Sequence, residues 1–171
     1  MSYTKWKSAF LTTCLIALFA MPAVGQSLTV AQLKGVWQQS TGTVTAALHA
    51  NFQFYDDGRF VYNRDSYDEL NPLISIGGQY FPGKNTLGLK VLKIKLLEKF
   101  KIIESNPGVQ FDPFQMKGGE IVTIDQHDSA FTGHQLTVSK SKSGQLKIQI
   151  DSDTYFKISD DPDKFSNAVK P

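Results

Sequence analysis

The sequence is nearly without cysteine. Cys14 is the one thiol in 171 residues, so no disulfide framework can hold the fold together. It lies inside an apolar run rather than after it, so it is not placed to carry a lipid. No cysteine pair and no His-Glu-x-x-His spells a zinc site. No Gly-x-Ser-x-Gly marks a hydrolase nucleophile, and Gly77-Gly78 and Gly118-Gly119 lack the sequence that a phosphate loop needs after its glycines. A cofactor is not expected. A charge excess is missing too. The formal net charge is +2, and Lys5 and Lys7 account for it, which leaves no argument for nucleic-acid binding. Long hydrophobic runs are absent: Ala9 to Ala20 is about a dozen residues, whereas a membrane-spanning helix needs roughly 20. There is no internal repeat and no low-complexity segment.

The opening residues have the three parts of an export signal. Lys5 and Lys7 supply the positive start, Ala9 to Ala20 the apolar run, and Ala23-Val24-Gly25 small residues after the helix breaker Pro22. Cleavage is expected after Gly25, with Gln26 as the new N-terminus and a periplasmic or secreted destination. Residues 1–25 are thus read as signal, 26–159 as one domain and 160–171 as a polar tail. About 146 residues would remain, an ordinary size for one domain. They would carry no thiol and no transmembrane segment.

Thr29 is a natural N-cap, and Gln32 three residues on completes a capping box. Leu28 and Leu33 form a hydrophobic staple, and Gly35 ends the short helix. Beyond Trp37 comes a Thr/Val/Gln-rich stretch, Gln38 to Ala47. Phe52 and Phe54, then Phe60 and Tyr62, alternate with polar neighbours around Asp56-Asp57-Gly58, which predicts a β-hairpin. Arg64 to Asn71 reads as a polar loop, Leu73 to Ile76 as a short apolar run, and Tyr80-Phe81 as a short strand before Pro82-Gly83. Leu89 to Ile103 favours one or two strands with a slip near Leu97-Glu98. Helical spacing fits only through Leu89, Leu92, Leu96 and Ile103, and stays as the alternative. Ser105 to Gly119 reads as a loop. Strands are expected around Ile121 to Ile124, Leu136 to Val138, Leu146 to Ile150 and Tyr155 to Ile158. The tally is about 8–10 short strands with regular turn signals, an all-β antiparallel barrel or sandwich.

The capped helix with Gly35-Val36-Trp37, the Phe52-Gln53-Phe54 strand, the Asp57-Gly58 turn and Gly78-Gln79-Tyr80 together resemble bacterial lipocalin-like domains. The resemblance covers Thr29 to Leu87. It implies a small up-and-down β-barrel with a short N-terminal helix, Gly35 and Trp37 closing one end, and an apolar ligand or lipid held inside. Lipocalins place an arginine late in the chain to stack on the tryptophan. Here Lys157 is the available cation, without the planar stacking face.

Trp37, Phe52, Phe54, Phe60, Tyr62 and Tyr80 are the candidate interior residues, either filling the core or lining a cavity. Lys93 and Lys95, with neighbouring lysines, form a solvated strand face or a contact for an anionic envelope surface. Phe111 and Phe114 either cover a barrel mouth or form a binding surface. His127 and His134, near Asp125 and Asp128, are weak candidates for a metal site or acid–base pair. Asp151-Ser152-Asp153 and Asp160 to Asp163 lack a full calcium loop. Three functions remain open: an exported binder of a small hydrophobic ligand, a barrel with a filled core acting through its surface, and a barrel-fold isomerase or cyclase. No catalytic residue can be assigned, and the balance leans away from an enzyme.

Overall fold

The computed structural model describes residues 28–43, 49–65, 68, 70–104 and 114–164. The expected export signal, Phe111, part of the stretch after Gln38 and the end of the tail lie outside the described residues.

The chain enters through α1 (Val30–Leu33), a single turn held by its capping box. Thr29 Oγ1 accepts the Gln32 backbone N–H at 3.3 Å, and Gln32 Oε1 accepts the Thr29 N–H at 2.9 Å. Both staple residues, Leu28 and Leu33, belong to the core. Lys34 is the C-cap, and Gly35 adopts φ 121° to turn the chain directly into β1 (Gly35–Gln39). That φ strains any side-chain-bearing residue.

Ten further strands follow. They are β2 (Asn51–Phe54), β3 (Arg59–Asn63), β4 (Leu73–Pro82), β5 (Thr86–Glu98), β6 (Lys101–Glu104), β7 (Phe114–Lys117), β8 (Glu120–Asp125), β9 (Thr132–Lys140), β10 (Leu146–Ile150) and β11 (Asp153–Ser159). Neighbours pair in the order β1-β2-β3-β4-β5-β9-β10-β11, and β11 returns to β1. The result is a closed antiparallel barrel of 8 strands with one short helix at its N-terminal side, as the sequence predicts. The remaining three strands are an excursion between β5 and β9. One edge of β5 pairs with β4, and the other serves two partners: Thr86 to Leu89 pair with β9, and Lys93 to Glu98 pair with β8. β6 and β7 pair only with each other.

Three local expectations change. Leu73–Ile76 and Tyr80–Phe81 are one strand, β4, because Gly77-Gly78 continues it rather than breaking it. A Cβ on Gly78 would overlap the Lys90 carbonyl oxygen, so the missing side chain lets β5 close against β4. The Phe60 ring lies over the bare site, as happens where an aromatic covers a strand glycine. Secondly, Phe114–Lys117 inside the expected loop is a strand, β7. Thirdly, residues 160–164 are fastened rather than loose: Tyr55 Oη donates to Asp163 Oδ1 at 3.0 Å, and Pro162 is buried. The ambiguous Leu89 to Ile103 stretch is β5 and β6, with the break at Lys99, which adopts φ 55°.

The core is aromatic on one side and aliphatic on the other. Phe52 and Phe54 stack with centroids 5.2 Å apart, Phe52 meets Tyr155 edge-on at 5.2 Å, and Phe54 meets Tyr80 edge-on at 4.8 Å. Leu87, Leu136, Ile148 and Ile150 complete it. Each such side chain contributes about 1.5–3 kcal/mol by leaving water, which is how a barrel without disulfides holds together.

Candidate functional site

One end of the barrel is sealed. Trp37 is fully buried, and its Nε1–H donates to the Leu33 carbonyl at 2.6 Å, tying the first strand to the helix. Lys157, opposite Trp37 across β1 and β11, places Nζ 5.5 Å from the indole centroid. The same ammonium pairs with Asp160 at 2.6 Å, so a lysine does occupy the position over the tryptophan that the resemblance reserves for an arginine. Tyr80 Oη donates to the Tyr55 carbonyl at 2.7 Å and lies 3.4 Å from that of Val30. Burial and nearby Asp56 push this phenol up to about 12.

Toward the other end the strands form an open-mouthed cavity of about 410 Å³. Small-molecule sites span roughly 300–1,000 Å³. Its walls are Phe52, Phe60, Tyr62, Ile76, Leu89 and Val91 on one side, and Ile150 and Tyr155 on another. Polar groups gather with Thr132, His134, Asp151 and Asp153. The arrangement follows from strand alternation. The cross-strand pairs Tyr62↔Ile76, Ile76↔Ile94 and Leu136↔Ile150 put every second residue on the inner face.

His134 Nδ1 lies 2.7 Å from Asp151 Oδ2. A carboxylate can only accept, so Nδ1 is the donor. Asp151 Oδ1 accepts the Gln135 N–H at 2.9 Å. The hydrogen bond from His134, followed by that from Gln135, holds the Asp151 carboxyl below the usual range. Tyr155 is 4% exposed, and burial, then Tyr62 and Asp153, push its phenol strongly upward. Among the described residues neither Tyr155 Oη nor Tyr62 Oη has a hydrogen-bond partner.

Of the six aromatic candidates, Phe52, Phe60 and Tyr62 line the cavity. Trp37, Phe54 and Tyr80 pack the sealed end. Lys93 and Lys95 lie on the outer face of β5, opposite Asp125 and Thr123 of β8. Phe114 begins β7 and is 41% exposed, away from the cavity walls. His127 sits in the turn after β8, and His134 is bonded to Asp151 rather than to the acids near it in sequence. No group of three His, Cys, Asp or Glu among the described residues is arranged to hold a metal ion. Sequence reading missed Asp151, Asp153 and Tyr155 as wall residues. Their signal was the alternation Asp153, Tyr155 along the last strand, which continues the inner face.

No family model, no curated protein and no solved structure matches this chain. What the barrel can do is therefore set by its own geometry. No helix among the described residues is long and apolar enough to cross a membrane.

Proposed function

We propose that the chain is an exported, lipocalin-like binding protein that holds a small, mainly apolar molecule in the barrel mouth. The observation that carries this reading is the cavity of about 410 Å³ walled by Phe52, Phe60, Tyr62, Ile76 and Ile150. Small-molecule sites are concave, mainly apolar and carry a few polar groups that fix orientation, and this open-mouthed pocket, with Trp37 packing the opposite end of the barrel, has that make-up. The Gly35-x-Trp37 entry, the preceding capped helix and the Lys157 ammonium over the indole support the lipocalin-like reading. Export rests on Lys5, Lys7, the Ala9 to Ala20 run and Ala23-Val24-Gly25.

Native mass spectrometry of protein recovered from the cell envelope, followed by organic extraction, tests both parts. The expected mass begins at Gln26 and includes one small apolar molecule per chain, displaced by the neutral dye Nile red. A mass retaining residues 1–25 sinks the export reading. An empty chain that takes up no dye sinks the binding reading and leaves a barrel that works by its surface. The His134–Asp151 pair on the cavity wall is the one observation favouring acid–base chemistry instead. If wild type and His134→Ala carry the same molecule unaltered, the barrel is a carrier; a molecule altered only by wild type makes it an enzyme.

A further inference from the structure

We infer that the molecule held in the barrel mouth is an amphiphile with a cationic head, an organic ammonium over an apolar body; this rests on the ligand-binding reading above. The ionisable groups on the cavity wall are mainly acidic. Asp151 and Asp153 are there, His134 is the only basic side chain, and no lysine or arginine is among the wall residues. Asp151 is committed to His134 and Gln135. Asp153 opens β11 opposite Ile150 and has no ion pair among the described residues. Its carboxylate is near enough to the cavity phenols to raise both of them.

The rings beside it suit the same ligand. Phe52 has its centroid 4.9 Å from that of Tyr62, 5.2 Å from Tyr155 and 6.1 Å from Phe60. A cluster of ring faces attracts an ammonium through the ring quadrupole, most strongly where water is excluded. Tyr155 Oη is the second, independent observation. It belongs to a cavity-lining side chain that is 4% exposed and lacks a hydrogen bond among the described residues; Gln38 Oε1 is the one sealed polar atom without a partner among them, so the Tyr155 hydroxyl is open to the cavity and available to a ligand. An ammonium N–H would be accepted by that oxygen and by Asp153. A fatty-acid carboxylate would sit beside two carboxylates with no lysine or arginine to offset them, which is unfavourable by like-charge repulsion. A purely apolar molecule would leave both phenols unpaired. The outward placement of Lys93 and Lys95 keeps their charge off the mouth.

Three probes of equal chain length decide it: decylamine, decanol and decanoate, titrated calorimetrically into the mature protein at neutral pH. Decylamine should bind at least about tenfold more tightly than decanoate, a difference of about 1.4 kcal/mol, with decanol between them. Asp153→Asn should close most of that gap and leave decanol unchanged. Equal binding of all three, tighter binding of decanoate, or a gap that survives Asp153→Asn overturns the cationic head while the binding reading stands. Failure of all three probes to bind removes the binding reading itself. The wild-type comparison is decisive even if the variant does not fold.

Discussion

Gly78 shows how much one missing side chain can settle. It sits on the inner face opposite Phe60 and across from Val91, where a Cβ would overlap the Lys90 carbonyl oxygen. The obstacle is backbone, which cannot swing away as a flexible side chain would. Gly78→Ala should therefore destabilise the protein by about 1–3 kcal/mol, the usual cost of overpacking, read from urea unfolding at constant slope. Gly58→Ala does not test the same thing, since its φ of 81° adds backbone strain. An unchanged midpoint for Gly78→Ala would mean that β4 and β5 can separate freely there. At this scale the aromatic interior was legible, because Phe52, Phe54, Phe60 and Tyr62 all lie on alternating positions. Which of them face the cavity was not, because that depends on how far α1 and Trp37 plug the barrel.

Among the elements, legibility followed the alternation of side chains. β2, β3 and β10 read cleanly since large apolar residues recur at every second position along each, although β2 is buried on both faces. β5 was obscured by a register shift against β4, where Gly77 pairs with Lys93 and Gly78 with Val91, leaving Leu92 extra. The bulge changes the inward parity from Leu87, Leu89 and Val91 to Ile94 and Leu96, so neither a single strand nor a helix fitted the whole run. β7 was hidden between Pro113 and Gly118, although Phe114 and Met116 alternate. His134 was grouped with Asp125 and Asp128, whereas antiparallel pairing brings it to Asp151. Among the described residues the β6–β7 pair has no third strand and stays largely exposed, and an isolated two-stranded ribbon is marginal in water. Its amides should exchange with solvent at least about a hundredfold faster than those of β1, β2 and β10. Equal protection measured by hydrogen exchange would show that another part of the protein covers it.

For the whole molecule, ionisation defines the pH range of stability. Asp56, Asp57, Asp151 and Asp160 are held below the ordinary carboxylate range by Lys34, Arg59, His134 and Lys157 respectively. Depressed folded values give stability that is present above the unfolded value of 3.8 and is lost as pH falls through the folded ones. These groups are exposed, so the acid loss is shallow. The alkaline side is steeper. Burial raises Tyr55 and Tyr80 from 10.0 to about 12, and a raised phenol gives stability that is complete below 10 and is lost as pH rises toward 12. Thermal melts should be level through neutrality and fall from about pH 10 upward. A melting temperature still flat well above that point would mean that these phenols ionise as freely as in the unfolded chain. The pairing of β11 with β1 has a further consequence, one of timing. Protein chains are made from the first residue to the last, and domains assemble as their parts arrive. Phe52 and Phe60 are made early, but Ile150, Asp151, Asp153 and Tyr155 come from the end of β10, the turn after it and the last strand of the barrel. Until that strand has been made and has docked on β1, the early aromatic wall has nothing facing it, so the chain acquires its cavity only as its final act of folding.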